Sequence, residues 1–430
     1  MFQLRAGLIM LAVIGQTGRA SASPDHWTDV RRAQETVEAA RRSSDAGAYL
    51  RAARRLAELA PRSPGALYGL AQAQARSGQK ADAMAVLGRL ARMGLTYDAA
   101  NDPEFAPLRA DDAFKALVDR FQASALPLVH SQTAFTLSER DLITEGIAHD
   151  PRTGSFFVSS VRRRKIVRVS REGMPSDFVA PGADGPLGVF ALAADPERRA
   201  LWATTAAVVA MEGYRKEEDE GRTRLVEYDL DSGRPRRAFG PPPGMAGAQL
   251  GDLALSPEGR VFVADPAGGR IYTLAPGARA LAVLLPPGRL RSPQGMAISP
   301  DGRWLLVADY AQGLARVDAR TGAATLLEGP ADAALTGIDG LVWTSDGLVA
   351  IQNGLRPHRI LRLRLDPALA RITEAAVIER AHPEWAEPTL GVAVGDDVFY
   401  VARSQWPLVG PDGALRRDAL QPALVLRLRR

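Results

Sequence analysis

One pattern recurs along the chain from Ile143 onward, and it leaves few folds open. A short apolar stretch opens on a small or polar pair and runs into an Asp/Ser-Pro turn with a Gly. It returns as a second apolar stretch, and a third follows, ending in alternating apolar and charged residues. The fullest copies are GDLALSPEGRVFVADPAGGRIYTL (251–274) and QGMAISPDGRWLLVADYAQGLARVD (294–318). EGIAHDPRTGSFFVSSVRRRKIVRV starts at Glu145, and a weaker copy, DGLVWTSDGLVAIQNGLRPHRILRL, starts at Asp339. Two further units start near Phe190 (ALAADPERRALWATT, then RLVEYDLDSG) and near Leu390 (GVAVGDDVFYVAR, then ALVLRLRR). Pro-Asp-Gly and Pro-Glu-Gly make tight turns between antiparallel strands. The starts lie about 45 residues apart with one longer interval, the repeat of a propeller blade. The pattern predicts an all-β six-bladed propeller over 133–430. The long interval holds an acidic insertion, 212–222, expected as a surface loop, and a Pro-rich linker at 241–243. A ring must close or leave an exposed edge. The last unit offers three strands, and AFTLSE (134–139) is placed to add the fourth.

A chain of 430 residues exceeds one ordinary core, and the segment before the propeller reads as a different class of structure. Leu50, Ala53, Leu56, Ala57 and Ala60 share a helical face. Pro61 and Pro64 are expected to stop that helix, and a second begins near Gly65. Leu67, Leu70-Ala71, Gly78, Ala83 and Leu87 fall at the spacings of a tetratricopeptide repeat. The fold class is therefore α+β multidomain: a helical repeat module over 23–121, a linker over 122–132, and the propeller. One repeat cannot bury its apolar face alone. The module either presents a groove to a protein partner or caps the propeller, and the sequence leaves both open.

The first residues have the three parts of an export signal in order. Arg5 gives a positive start, 6–15 is an apolar run too short to span a bilayer, and Ala20-Ser21-Ala22 is a small-x-small cleavage pattern. The expectation is a signal peptide over 1–22 and a periplasmic or secreted product. No later segment is apolar enough for a membrane span. The absence of Cys excludes disulfides, thiolate metal sites and a Cys nucleophile. Basic and acidic residues number 54 and 49, a near-balance that argues against nucleic acid as a partner. The basic run Arg162 to Lys165 reads as a solvated hairpin tip, with an anion site as the alternative.

Aligning the copies on their turns places six residues at one position on the axis: Glu145, Phe190, Gly251, Gln294, Asp339 and Leu390. Three of them carry side-chain oxygens, and three oxygens converging on an axis could hold a hard cation such as calcium. The alternative is a polar channel lining. His149 is expected exposed near the first-blade turn, His358 in an irregular loop, and no His set has metal-cluster spacing.

EGIAHDPRTG, GDLALSPEGR, QGMAISPDGR and DGLVWTSDG resemble motifs of the family that groups gluconolactonases, senescence marker protein and luciferin-regenerating enzyme, over about 140–366. The resemblance implies one divalent cation on the axis, held by Glu145, Gln294 and Asp339, with Asp339 also the candidate general base. Gln294 stands where the family has a metal-binding Asn. Gly251 stands where it has a second Asn beside the substrate, though the following Asp is kept as Asp252, a candidate substrate-binding residue. Two readings follow. One is an exported lactonase-like protein that binds a small molecule, glycan or protein partner at the axial mouth with weak or no catalysis. The other is a divalent-metal-dependent lactonase or esterase. Because two of the four positions depart from the pattern, the first is preferred.

Overall fold

The computed structural model describes residues 26–43, 45–181 and 186–429; the expected signal segment lies outside them. Five helices come first: α1 (His26–Arg42), α2 (Ala46–Leu59), α3 (Pro64–Arg76), α4 (Lys80–Arg92) and α5 (Asp112–Ser124). Local chemistry sets their ends. The Asp45 carboxylate accepts from Ala48 N at 2.9 Å, and Ser63 Oγ from Ala66 N at 3.3 Å, each satisfying an orphan donor of a first turn. Pro64 does not stop a helix. It begins α3, where its fixed φ and missing N–H cost nothing. Gly78 takes φ +77° at the α3–α4 turn, a conformation that favours glycine. Leu67, Ala71, Ala83 and Leu87 then meet Phe105, Phe114 and Phe121 in one buried cluster. A second cluster joins Val30 and Val37 of α1 to Tyr49, Leu50 and Leu56 of α2.

Six four-stranded antiparallel sheets follow, each a blade. Their inner strands are Ile147–Asp150, Gly188–Asp195, Leu253–Leu255, Pro293–Ile298, Ile338–Thr344 and Gly391–Val394. Ring closure is as the sequence predicts. Blade six takes Ser131–Leu137 as its outer strand, paired antiparallel with Ala423–Leu428 in the register Ser131↔Leu428 to Leu137↔Ala423. The pairing begins three residues before the predicted 134–139. A buried polar network fastens it to blade five. Glu379 accepts from Ser131 N at 3.0 Å and Ser131 Oγ at 2.5 Å, and its Oε2 also accepts from the Tyr400 hydroxyl at 3.1 Å.

The helical module packs on the propeller. Ala334 belongs to its aromatic cluster and Leu355 packs against it. Arg92 pairs with Asp332 at 2.9 Å, Arg62 donates to Leu327 O at 3.0 Å, and Thr96 N donates to Arg356 O at 2.9 Å. All three partners lie in loops at the end of blades four and five where inner strands start. The basic run is not a solvated tip. Arg163 pairs with Asp141 (2.7 Å) and Glu212 (2.8 Å), and buried Lys165 with Glu139 and Asp177 (2.7 Å each). The acidic insertion of blade two folds against that hairpin and supplies Glu212.

Candidate functional site

The inner strands all start at one end of the ring, and the first residues of several carry acids. Glu145 lies two residues before its strand, Asp252 one before, and Asp339 is the second residue of its own. Glycine follows three of the aligned positions for a packing reason. A Cβ on Gly146 would sit 2.4 Å from Phe190 O, one on Gly295 2.4 Å from Asp339 O, and one on Gly340 2.6 Å from Thr389 O. Each blade's neighbour therefore lies against bare backbone, which crowds the preceding side chains at the mouth. The Glu145 backbone is held from both sides: its N–H donates to Ser159 Oγ at 3.3 Å, and its carbonyl accepts from Thr389 Oγ1 at 2.9 Å.

Four carboxylates share this mouth. Burial pushes Glu145 well above the usual carboxylate range, and Asp339, Asp252 and Glu387 push it further. Asp252 is raised by burial and then by Asp339. Asp339 is pushed up to about 6 by burial, against the hydrogen bond from Asn353. Glu387 reaches about 7 through burial and Asp339, with the Arg356 guanidinium opposing. Asn353 Nδ2 donates to Asp339 Oδ2 at 2.6 Å and to Pro388 O at 3.0 Å, while the Tyr310 hydroxyl donates to Asn353 Oδ1 at 3.0 Å. Glu145 Oε2, Asp252 Oδ2, Glu387 Oε2 and the Trp406 indole nitrogen are buried without a hydrogen-bond partner. The indole edge faces Glu145, and its ring stacks on Phe190 at 6.1 Å.

The structure thus gathers Glu145, Asp252 and Asp339 and adds Glu387. Gln294 is different: its amide nitrogen turns to Ser292 Oγ at 3.2 Å, and among the described residues no hydrogen bond joins it to the acids. Gly251 is backed by the Pro266 ring, 3.2 Å from where a Cβ would stand. Among the described residues, no three His, Asp or Glu side chains stand close enough to hold a metal ion by themselves. One histidine is placed differently from expectation. His149 lies on the inner strand of blade one with its ring 4.7 Å from Phe156. His358 lies half-buried in an irregular loop on the mouth side, as expected, its pKa lowered to about 3 by burial and Arg356. Glu387, Asn353, Tyr310 and Trp406 were not legible as site residues. Asn353, in the weak copy's IQNG, was the one with a signal, a polar residue just past the second strand.

No protein-family model matches the chain, and no curated protein matches it. Solved structures with a similar fold include a gluconolactonase from Xanthomonas campestris (15% identity, 71% of this chain and 92% of that one, TM-score 0.47). Another is the calcium-binding protein regucalcin from Agrobacterium tumefaciens (18% identity, 69% and 93%, TM-score 0.47). A third is a virginiamycin B lyase from Staphylococcus aureus (15% identity, 63% and 80%, TM-score 0.46). These are likenesses of fold at low identity under differing names, and none transfers an activity to this chain.

Proposed function

We propose that the axial mouth binds a divalent cation, calcium by the chemistry of its donors, and through it a small molecule or glycan, with weak or no turnover. The observation that carries this is the set of orphaned carboxylate oxygens on Glu145, Asp252 and Glu387, gathered with Asp339 where burial and mutual repulsion oppose ionisation. Such a group is relieved either by protons or by a positive charge. Hard oxygen donors suit calcium, which takes about 6–8 oxygens. Glu145 and Asp339 would supply protein ligands and Asp252 would meet the ligand, leaving positions open for it. Gln294 would join only by swinging from Ser292. Bound there, the cation would polarise a ligand oxygen.

One observation favours the alternative, a metal-dependent lactonase or esterase. Asp339, at about 6, is poised to act as a general base near neutral pH. Against it, Gly251 offers no side chain to position a substrate. Thermal melting with and without calcium tests the reading. Calcium should raise the melting temperature through binding linkage, about 2.7 kcal/mol at a hundredfold excess over Kd. Asp339→Ala should abolish the rise and Glu145→Ala weaken it, with little turnover of simple sugar lactones. Robust lactonase activity lost in Asp339→Ala would replace this reading by the alternative.

Export is part of the same proposal. Protein recovered from periplasm or medium should begin at Ser23, and a product retained in the cytoplasm with Met1 intact would refute it. The tetratricopeptide-like reading of α3–α4, with a protein partner on its free face, stands as a further proposal.

A further inference from the structure

The segment between Gln352 and Arg359 has two faces with different work. One side reaches the mouth: Asn353 bonds Asp339 and Pro388, and the Arg356 guanidinium lies near Glu387 and Tyr310. The other side is gripped by the helical module. Leu355 packs against the module's aromatic cluster, and Arg356 O accepts from Thr96 N at 2.9 Å. The grip centres on Arg359, 1% exposed. Its Nη1 donates to Met93 O at 2.5 Å and Gly94 O at 3.4 Å, its Nη2 donates to Ala334 O at 3.3 Å, and its Nε donates to Gln352 Oε1. Gln352 in turn donates to Ala334 O at 2.9 Å and Thr336 O at 2.6 Å.

Among the described residues, Arg359 makes no ion pair. A buried cation without a counter-ion is costly. What compensates it is a set of carbonyls, and two of them, Met93 O and Gly94 O, terminate α4, where a helix carries partial negative charge. Arg359 of the propeller therefore caps a helix of the other module. Removing the module would take away the carbonyls that Nη1 bonds and leave the guanidinium only Gln352 and Ala334, six residues from the Asn that holds Asp339. We propose that the helical module is part of the binding site, and that Arg359 is a positioning residue through which α4 holds the 353–358 segment, and with it Asn353 and Arg356, against the acid mouth. The inference rests on the mouth being a calcium-linked site.

The test uses the full mature chain in two variants. Arg359→Met keeps length and burial but removes the cap. Arg62→Ala with Arg92→Ala breaks two other contacts between module and propeller and leaves the 353–359 segment untouched. Calcium affinity is read by titration calorimetry. Amide exchange is read without calcium over 337–342 and 385–391, mouth segments to which the Arg359 guanidinium makes no hydrogen bond. Arg359→Met should weaken calcium binding about tenfold and speed exchange at 385–391, while the double variant changes neither. Equal weakening in both would reduce Arg359 to ordinary docking, and unchanged affinity and exchange in a folded Arg359→Met would overturn the proposal. If the wild type ignores calcium but Arg359→Met still loosens 385–391, the coupling stands and the reading of the mouth falls.

Discussion

Replacing Glu387 by Gln should stabilise this protein by an amount that grows as pH rises above about 4.5 and is complete above about 7. The residue sits at φ +64°, a strain that Gln bears as Glu does, so the substitution isolates charge. Glu387 is raised from 4.5 to about 7 by burial and by Asp339. In the unfolded chain the carboxyl ionises near its ordinary value. Between these values the folded state holds a proton that the unfolded state has lost, so stability falls as pH rises from about 4.5 through 7. A raised carboxyl is thus easiest to fold when protonated, the reverse of a salt-bridged one. The full shift corresponds to about 3 kcal/mol, and partial exposure of the side chain reduces this to roughly 1–2 kcal/mol. Urea unfolding of the propeller, in chelator, at pH 4.5 and pH 8 reads it directly. The variant should gain that amount at pH 8 and nothing at pH 4.5. Calcium at pH 8 should then favour the wild type, because the cation needs the charge the variant lacks. A gain equal at both pH values would show a packing effect, and a variant no more stable than the wild type at pH 8 would refute the electrostatic argument.

Two further outcomes follow from the ring itself. Deleting 423–430 removes the third strand of blade six, which lies between Asp397–Val401 and Ser131–Leu137, and so exposes two edges; aggregation or a large loss of melting temperature is expected, and unchanged melting would contradict the closure. Gly340→Ala places a Cβ 2.6 Å from Thr389 O, a backbone atom that cannot swing aside; the neighbouring blades must part, and a loss of about 1–3 kcal/mol in urea unfolding is expected.

The ring was legible because its cause is local and repeated. Each Pro-Asp-Gly or Pro-Glu-Gly fixes a hairpin from its own residues, and six copies average out the weak ones. Even closure could be read, since an unpaired strand before the first copy and three strands in the last leave one arrangement without edges. The helices were legible for a similar reason, yet Pro64 was misread as a stop, because the same residue serves either end of a helix gap and only the capping contact at Ser63 decides. The basic run at Arg162 was misread because its partners Asp141, Glu139 and Glu212 come from other segments, and spacing along one hairpin says nothing of them.

The mouth was half legible, and the division has a physical origin. Glu145, Asp252 and Asp339 stand at the start of repeated strands, so alignment of the copies finds them. Glu387 lies in the link from blade five to blade six, and Trp406 in the long connection between the second and third strands of blade six; neither segment is part of the repeated pattern, so the repeat does not predict where it goes. Asn353 lies between these cases, on a repeated strand end whose side chain acquires its meaning from Asp339 of its own blade and Pro388 of the link to the next. Gln294 shows the converse. Alignment assigned it to the axis, but its longer side chain finds Ser292 two residues back, a local bond. A bound ion would have to exceed that bond to draw the amide oxygen inward. One oxygen each of Glu145, Asp252 and Glu387, by contrast, already lacks a partner. Any cation that enters is therefore expected to meet the carboxylates first, with Gln294 recruited last or not at all.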